Sequence, residues 1–576
     1  MFTKRWPSLL CHGMGLALEI MLYYHKQAHG HQRLPIITAS NIVNANKMLS
    51  TSFIALGLLL LAAYRWFRRT IHNRTFAAKH GCEPPPKLRQ FEDIIGVENV
   101  TEVAKAWNSS TWLDMWFRRF TTIGTTFQAS SLGRTTIFTV DPQNIKAILA
   151  TQFKEFDLGP RRMRLLGPII GPGIFTNDGH RWEHSRSLVR PTFTKVQVSD
   201  LSSFEGHVQD LLTAMPQPHW HTGRVDVNLQ PLFFRLTLDS ATELLLGRSF
   251  RTLLASPDST HVKFMEAFDY AQGRVHINGL REQPFIRPFA WLQSLLKGKK
   301  KTRFEEACET VHTIMDEIIT GFLAGAEKKS AIGEDPSTNE KKKYVFLDEL
   351  AKEIRDPMQL RYETLNVLLA GRDTTAALLS NTFFVLARRP DIWAKLRAEV
   401  DDTFGGAVPD YEQLRNVKYV RNVLNESLRL YPVVPFNSRM ATKDTTLPTG
   451  GGPDGRSPVH VRAGQLVNYH VWSMHRMPAY FGPDAGEFNP DRWNDSSFRP
   501  GWACIPFNGG ARICVGQQYA LTNAAYVVVR LVQEFESIDC INPDEKWVEN
   551  VALVTSSRSG AHVSLTPRSK PAAASQ

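Results

Sequence analysis

The longest apolar run in the chain lies near its start. It reads FIALGLLLLAA from Phe53 to Ala63, and the wider stretch 48–67 is mostly apolar. As a helix, these roughly 20 residues would be about 30 Å long, which is enough to cross a bilayer. A basic cluster follows, formed by Arg65, Arg68, Arg69 and Arg74. Since positive flanks stay on the cytosolic side, the pattern predicts a transmembrane anchor at 48–67 with everything downstream in the cytosol.

The segment before this anchor has a weaker pattern. Residues 7–24 are apolar but are interrupted by His12 and Glu19. The extension 1–47 is therefore a weak second membrane segment, an interfacial helix, or a gene-model extension that ends where Met48 starts the true chain. A cleaved signal peptide is disfavoured for the anchor, because the apolar run begins far from residue 1 and lacks an A-x-A site.

Beyond the anchor, apolar positions recur mainly at helical spacing. The basic, Pro-rich stretch 68–90 predicts a rigid hinge, since Cys82 is followed by Glu and three prolines. Helical periodicity is clear in four long runs, 229–246, 359–387, 416–430 and 517–535. Strand-like alternation is confined to two patches, 125–140 and 459–471. We therefore expect a mainly α-helical domain with small β-sheets over 91–566.

The other stretches predict exposed or irregular chain. Residues 327–343 are highly charged and 448–457 are rich in glycine, so both predict exposed loops. The tail 567–576 is expected to be disordered. No flexible linker interrupts the chain after about residue 90, which predicts one large domain rather than a string of modules.

Composition narrows the class of protein further. The 576 residues are 43% hydrophobic and 22% charged, close to an average globular chain, so a disordered or collagen-like protein is excluded. The formal net charge of +12 fits an acidic protein partner or anionic lipid as easily as nucleic acid. The six cysteines include no CxxC pair, which disfavours a zinc ribbon and a disulfide framework.

One cysteine nevertheless lies in an unusual context. Residues 507–516 read FNGGARICVG and place an aromatic ring, glycines, a cation and a thiol just before a predicted helix. Backbone N–H groups that glycines leave accessible, and the positive end of the helix, would lower the pKa of the Cys514 thiol. A thiolate of this kind is suited to ligating iron, and Arg512 could pair with a carboxylate of a macrocycle.

This segment resembles the F-x-x-G-x-R-x-C-x-G haem-binding signature of the cytochrome P-450 superfamily. The signature positions are Phe507, Gly510, Arg512, Cys514 and Gly516. A chance match in a chain of this length has a probability of about one in ten thousand. The resemblance spans about 85–566 and implies the cytochrome P-450 fold after a transmembrane helix. It also implies haem b, iron protoporphyrin IX, with Cys514 as the axial thiolate ligand in a haem-thiolate monooxygenase domain at 91–566.

A second motif, AGRDTT at 370–375, lies in a long predicted helix. Glycine in a helix interior costs roughly 1 kcal/mol relative to alanine, so Gly371 predicts a close approach or a local distortion. Alone, the hexamer would fit a helix with a solvated aspartate. The resemblance instead implies that Thr374 and Asp373 deliver protons to dioxygen over the distal haem face.

Two further segments predict a structural network. Glu426 and Arg429 have the three-residue spacing that puts an acid and a cation on one helical face. The stretch 488–493, FNPDRW, resembles the family segment whose arginine completes a Glu-Arg-Arg network, here Arg492. The resemblance therefore implies that these three residues hold the loop before the haem ligand.

The resemblance to the cytochrome P-450 superfamily implies that three more residues bind haem. Trp182 and Arg186 form a W-x-x-x-R pair at one-turn spacing, which the family uses on haem propionates, and Arg439 matches another propionate-binding position. A surface tryptophan that covers the apolar core is the alternative for Trp182. Three of the histidines, His180, His184 and His475, are interpreted as polar surface residues rather than ligands, without a role.

The expected reaction is insertion of one oxygen atom into a C–H bond. No nucleotide-binding fingerprint is present, so electrons must come from outside this chain. The resemblance implies that they come from NADPH through the flavins of a membrane-bound cytochrome P-450 reductase, with cytochrome b5 as a second donor. Nucleic acid is not an expected partner. The implied location is the endoplasmic reticulum membrane, with a single span and a cytosolic catalytic domain.

The substrate is expected to be hydrophobic. The stretches LLAGRDTTAALLS, YPVVPFNSRMA and GIFTNDG look like the fungal n-alkane and fatty-acid ω-hydroxylase branch, which implies a long aliphatic chain. Animal fatty-acid hydroxylases often carry a glutamate where this chain has Ala370, so no ester link to haem is expected. The alternatives are a tailoring oxidase of fungal secondary metabolism, a reductase-independent haem isomerase or peroxygenase, and a non-catalytic haem protein.

Overall fold

The computed structural model describes residues 39–89, 96–275, 301–332 and 344–569, in two compact units that divide the chain at Thr75 and Phe76. In the described part of the first unit the chain is helical. The second unit consists of helices around small β-sheets, which confirms the predicted fold class. The predicted extension 1–47 lies almost entirely outside the described residues.

Helices dominate the second unit. The helices of the described chain are α1 (Ala39–Lys79), α2 (Val97–Asn108), α3 (Trp112–Ile123), α4 (Pro142–Lys146), α5 (Pro160–Ile170), α6 (Gly179–Val189), α7 (Lys195–Ser199), α8 (Ser202–Ala214), α9 (Leu229–Leu246), α10 (Thr260–Gly273), α11 (Arg303–Ile332), α12 (Phe346–Glu353), α13 (Pro357–Leu386), α14 (Pro390–Phe404), α15 (Tyr411–Asn416), α16 (Lys418–Leu430), α17 (Val471–Met474), α18 (Pro478–Phe481) and α19 (Gln517–Glu534). The four helices predicted from periodicity are α9, α13, α16 and α19, and their bounds differ by at most two residues from the prediction.

The strands form four sheets. The strands are β1 (Thr126–Ser131), β2 (Arg134–Thr139), β3 (Phe156–Asp157), β4 (Val225–Asn228), β5 (Phe436–Ala441), β6 (Thr445–Gly451), β7 (Ser457–Val461), β8 (Leu466–His470), β9 (Phe535–Cys540), β10 (Glu549–Val551), β11 (Thr555–Ser557) and β12 (His562–Pro567). The largest sheet has the order β1-β2-β8-β5-β3, and a second has the order β4-β12-β9. Among the strands named here, β2 and β8 pair in parallel and the other pairs, including β6-β7 and β10-β11, are antiparallel; outside these pairs, Lys87 makes an isolated parallel bridge with Gln128.

Helix α13 is the centre of the second unit. Asp356 caps its first turn by accepting from the backbone N–H of Met358, and Pro357 occupies the first helical position, where its missing N–H costs nothing. Its side chains are buried on nearly every side, because α9, α11, α16 and α19 pack around it. A separate apolar cluster lies between the five-stranded sheet and α3. The site residues on α13 therefore lie in the interior.

Helix α1 contains the predicted anchor but does not end with it. It continues through Lys79, beyond the predicted boundary at residue 67, because TIHNRTFAAK contains no proline or glycine. Its apolar side chains are exposed from Phe53 to Phe67; Trp66, for example, is 69% exposed. Among the described residues, no helix combines the length and apolarity needed to cross a membrane.

The Pro-rich part of the predicted hinge 68–90 is fixed to the second unit rather than free. Glu83 N–H donates to Pro458 O at 2.9 Å, and Pro86 O accepts from Gln128 N–H at 2.8 Å. Backbone pairing on both sides of the prolines holds this segment against β1 and β7. The stretch 68–90 therefore does not form one hinge: its first part, to Lys79, is helical, and its Pro-rich part is bonded to the strands.

The predicted loops also need correction. The stretch 448–457 begins inside β6, and Gly450 and Gly451 are buried, because the glycines let the strand pass closely over Thr126 and Glu83. Helix α11 continues to Ile332, into the predicted loop 327–343, and 333–343 lie outside the described residues. In the tail 567–576, Arg568 pairs with Asp401 at 2.8 Å, so the chain is held at least to that residue.

Candidate active site

The loop that carries Cys514 has backbone conformations that depend on a glycine and an asparagine at two positions. Gly510 has φ +64°, and a Cβ there would lie 1.8 Å from the carbonyl oxygen of Leu149. Asn508 also has a positive φ, 63°, and the Cys514 N–H donates to Phe507 O at 3.0 Å. The result is a tight turn that ends at the first residue of α19 and fixes the position of the Cys514 backbone.

The Cys514 thiol is accessible, and several groups of the protein affect its pKa. The residue is exposed, yet surrounding protein raises its pKa by desolvation, while the N–H of Gly516 and the charge of Arg186 lower that pKa. Arg186 reaches this loop from α6, where its Nη1 donates to Ile513 O at 3.0 Å. A thiol that is both accessible and surrounded by protein is open to a ligand from one side only.

Three guanidinium groups converge near this loop, from Arg162, Arg439 and Arg512. Burial and the charge of Arg439 lower the pKa of both Arg162 and Arg512 to about 10. Asp178, which accepts from Arg512 at 2.7 Å, is the nearest compensating charge, and Asp157 lies further off. The cluster therefore carries more positive than negative charge, which fits an anionic group.

Two of these guanidinium groups keep an unused donor. Within the described chain, the Nε–H of Arg439 and the Nε–H of Arg512 are buried without a hydrogen-bond partner. Such donors are costly unless something binds them. Two carboxylates of a bound macrocycle would supply both the missing acceptors and the missing negative charge, so the residues present fit haem.

Trp182 lies among the same residues. Its ring is buried and stacks under Arg512, whose Cζ is 4.3 Å from the ring centroid, with Arg186 on the same ring at 5.8 Å. The structure thus brings Trp182, Arg186, Arg439 and Arg512 together around the Cys514 loop. Arg162 belongs to the same group but was missed, because one arginine in the sequence PRRMR of α5 has no distinguishing motif.

The predicted Glu-Arg-Arg residues lie together in the interior. Both carboxylate oxygens of Glu426 accept from Arg429, at 2.7 and 2.9 Å, and Arg492 Nε donates to the same carboxylate at 3.0 Å. Both partners on α16 are fully buried. Trp493 and the backbone N–H of Asn489 add two more donors, each within 3.0 Å of Glu426. Every oxygen of this buried acid is thus bonded.

His475 connects this network to the Cys514 loop, and its interpretation as a surface residue is wrong. It is fully buried; its Nδ1 lies 3.1 Å from Arg429 O, and Ile505 N–H donates to its Nε2 at 3.0 Å. Burial lowers the pKa of His475 to about 3, so it is neutral, with the proton on Nδ1. The sequence offers no local signal for this role, since both partners are backbone groups distant along the chain.

On α13, the residues of AGRDTT face different neighbours. The Thr374 hydroxyl donates to Ala370 O at 2.7 Å, one turn earlier. A Cβ on Gly371 would meet only Ala241, at an ordinary 3.7 Å, so no protein atom requires glycine there. Behind this turn lies a cavity of about 10 Å³, room for one water, lined by Phe204, Thr237, Ser240, Ala241, Gly371, Thr375, Tyr519 and Asn523.

Asp373 is not a solvated aspartate. It is 2% exposed and pairs with the adjacent Arg372 at 3.0 Å, while its Oδ2 is bonded to nothing in the described residues. Burial raises the pKa of Asp373 to about 6, although the charge of Arg372 opposes this shift. The sequence did not predict the role of Arg372, which the structure buries completely.

Comparisons with known proteins agree with this fold. The sequence model of the cytochrome P-450 family matches residues 100–559. The monooxygenase himC of Aspergillus japonicus is 42% identical over 490 residues, covering 84% of each chain. Cytochrome P-450 52A10 of Candida maltosa is 41% identical over 507 residues, covering 85% of this chain and 93% of the relative. The monooxygenase fsdH of Fusarium heterosporum is 39% identical over 524 residues, covering 90% and 89%.

The chain therefore belongs to the cytochrome P-450 family and is a monooxygenase of that family. Membership implies a haem-thiolate cofactor, which the charge and open donors around Cys514 fit.

Proposed function

We propose that this chain is a membrane-bound monooxygenase that inserts one oxygen atom of dioxygen into a C–H bond of a long-chain aliphatic substrate. The observation that carries the proposal is the accessible Cys514 thiol beside the cluster of Arg162, Arg439 and Arg512. Haem-thiolate supplies the oxidising chemistry when bound. The side chains of this protein hold the cofactor, exclude water and handle protons.

Cys514 is the proposed iron ligand in its thiolate form. The N–H of Gly516, the charge of Arg186 and the N-terminal end of α19 all favour the anion over the thiol. Gly510 lets the loop pass the Leu149 carbonyl, and the partly buried Phe507 covers the loop on its apolar side. The Gly516 N–H and the charge of Arg186 offset part of the desolvation that raises the pKa of the Cys514 thiol, and a bound metal would supply the remaining stabilisation of the thiolate.

Four residues are proposed to bind the propionates of haem, with Arg186 holding the ligand loop beside them. Arg439 and Arg512 bring unused Nε–H donors, Arg162 adds charge, and Trp182 fixes the Arg512 plane by stacking. Glu426, Arg429 and Arg492 keep a structural role: they fix the chain that leads to Cys514, directly and through His475.

Proton delivery is assigned to Thr374 and Asp373. Asp373 can hold and release a proton near neutral pH, because burial raises its pKa and its Oδ2 accepts no hydrogen bond from the residues that the structure describes. The Thr374 hydroxyl can turn its hydrogen from Ala370 O towards another acceptor within reach of the same oxygen. The pair therefore provides an acid and a movable hydroxyl on consecutive residues.

The aliphatic substrate class rests on the resemblance and on apolar side chains. Leu166, Ile169 and Ile170 are buried where α5 packs on α11 and α13, and Leu165 and Val554 are only partly buried. The relatives himC and 52A10 are nearly equal in identity to this chain. Identity therefore does not decide between a hydroxylase of long aliphatic chains and a tailoring oxidase of fungal secondary metabolism. The tailoring oxidase, which would act on an alkyl arm of its substrate, is kept as the second candidate.

Electrons are proposed to come from NADPH through cytochrome P-450 reductase, with cytochrome b5 as a further donor. The proposed location is the endoplasmic reticulum membrane, which the exposed apolar side chains between Phe53 and Phe67 and the arginines after them support. Carbonate extraction and protease protection of microsomes test this: a single span leaves 76–576 digestible from the cytosolic side, whereas release of the intact chain by carbonate would contradict it.

The test of function uses the full chain in microsomes with purified reductase, NADPH and a panel of alkanes and fatty acids. We expect hydroxylated products by mass spectrometry, with no product when NADPH is withheld. Thr374→Ala should consume NADPH but release more peroxide, and Ser187→Ala, an exposed hydroxyl on α6, is the matched control. Turnover of every aliphatic compound at background level would remove the substrate assignment, and full turnover with peroxide alone would favour a peroxygenase.

A further inference from the structure

Arg372 is a buried cation shared by two carboxylates. Its side chain is fully buried, between the rings of Phe234 and Phe268, whose centroids lie 5.3 and 5.9 Å from Cζ. Both terminal nitrogens bond to Asp269 on α10, the second at 3.0 Å, and Nη1 also bonds to Asp373. This three-residue cluster links α10 to α13 through charge, and the packing of Arg372 on Phe268 of α10 adds to the link.

The two carboxylates differ in how they hold the cation. Asp269 is bidentate and its side chain is 50% exposed, whereas Asp373 makes a single contact at 3.0 Å and is 3% exposed. The second oxygen of Asp373 has no partner in the part of the chain that the structure describes. A planar guanidinium fork can satisfy one carboxylate fully, and here it satisfies the exposed one.

The charges around Asp373 explain its protonation. Burial raises its pKa to about 6, Arg372 lowers that pKa, the charge of Asp269 raises it, and the amide of Gln272 lowers it. Helix α10 contributes Asp269 and Gln272, α13 contributes Arg372, and Phe234 of α9 packs on the Arg372 guanidinium. Asp269 thus affects Asp373 in two ways. Its negative charge raises the pKa of Asp373, and it competes with Asp373 for the guanidinium of Arg372.

We propose that Asp269 is a positioning residue for Asp373: by engaging both arms of the Arg372 fork it leaves Asp373 a single contact with Arg372, at 3.0 Å, and an oxygen that no hydrogen bond within 3.5 Å satisfies among the described residues, so that Asp373 can take up and release a proton. The inference rests on the proposed function in its use of Asp373. In each catalytic turnover, the protonated Oδ2 of Asp373 gives its proton to an acceptor in the active site. Asp373 then regains a proton from water. The charge on Arg372 is unchanged throughout.

Infrared difference spectroscopy tests the positioning without turnover. The C=O band of the protonated Asp373 carboxyl is identified by its loss in Asp373→Asn and is then followed against pH. Asp269→Asn should lower the midpoint of this band by about one to two pH units, because Arg372 then turns wholly to Asp373. Asp269→Ser serves if the asparagine variant accumulates poorly. Asp269→Glu, which keeps the charge, should restore the wild-type midpoint, and Glu266→Gln, an exposed acid on the same helix, is the matched control.

An unchanged midpoint in Asp269→Asn, or an equal shift in Glu266→Gln, would overturn the inference. The second readout is the fraction of NADPH electrons recovered in product rather than peroxide, measured from pH 5.5 to pH 8.5, the range that brackets the Asp373 midpoint. Asp269→Asn should move this profile to lower pH by the same amount as the infrared midpoint. A shifted infrared midpoint with an unshifted profile would support the positioning and contradict the use of Asp373 in turnover.

Discussion

The Cys514 loop and the Asp373 segment of α13 differ in where their geometry comes from. The loop is determined by its own residues: a glycine with positive φ, an asparagine with positive φ and a hydrogen bond between Phe507 and Cys514. Asp373 sits in a regular helix, and its chemistry is determined by Asp269, which lies 104 residues earlier on α10. The geometry of the Cys514 loop thus comes from residues close in sequence, whereas the electrostatics of Asp373 comes from a residue that only the tertiary fold brings near.

The largest effect should come from breaking the support of the loop. Glu426→Gln leaves the buried Arg429 without its carboxylate and Arg492 with only Asp484, and breaking a buried pair of this kind costs about 3 to 5 kcal/mol. Chemical denaturation should show a loss of that size, together with loss of haem. Glu412→Gln, which removes an exposed pair with Lys195, should leave the unfolding curve unchanged. Equal effects of the two variants would show that the network does not hold the site.

Alanine at one glycine in each region sharpens the contrast. Gly510→Ala places a methyl group against the Leu149 carbonyl in a positive-φ position, so we expect destabilisation of more than about 2 kcal/mol and poor haem incorporation. Gly371→Ala meets only an ordinary contact and should stabilise the helix by up to about 1 kcal/mol. Denaturation and haem content measure both. A stable, haem-replete Gly510→Ala protein would contradict the local account of the loop.

His475 should make stability depend on pH. Its folded pKa is about 3 against an ordinary value of 6.5, so below pH 6.5 the unfolded chain takes up a proton that the folded chain does not. The unfolding free energy should therefore fall as the pH drops from 6.5 towards 3, by up to about 1.4 kcal/mol per pH unit per histidine.

Buried His470, whose pKa is also lowered to about 3, adds a second such contribution. His475→Gln should remove one of the two and, above pH 6.5, cost about 1 to 3 kcal/mol through the lost bonds to Arg429 and Ile505. Denaturation curves of both proteins across this pH range make the comparison. A variant with the wild-type slope would show that His475 is charged in the fold.

The smallest effect is expected at the propionate cluster. Arg162→Ala removes one of several cations, so haem should still bind but dissociate about tenfold faster, as for loss of one charged hydrogen bond. Transfer of haem to apomyoglobin measures this rate. Arg161→Ala, the exposed neighbour, is the control, and an equal rate for both variants would remove Arg162 from the cluster.

Prediction from sequence succeeded where geometry is local or periodic. The long helices α9, α13, α16 and α19 follow from apolar spacing, and the Cys514 loop follows from its motif. The role of His475 could not be predicted, because its partners are backbone groups of Arg429 and Ile505 that only the fold brings near. The same holds for Asp269 and Arg372, whose pairing depends on how α10 packs on α13.

The most direct test of the account is the spectrum of the reduced protein with carbon monoxide. Wild-type protein should show the red-shifted Soret band of thiolate ligation, and Cys514→Ser should lose it together with oxygenation. Cys504→Ser is the matched control: burial raises the pKa of this thiol to about 12, so its loss should leave the band intact. A Cys514→Ser protein that keeps both the band and oxygenation would contradict the central claim.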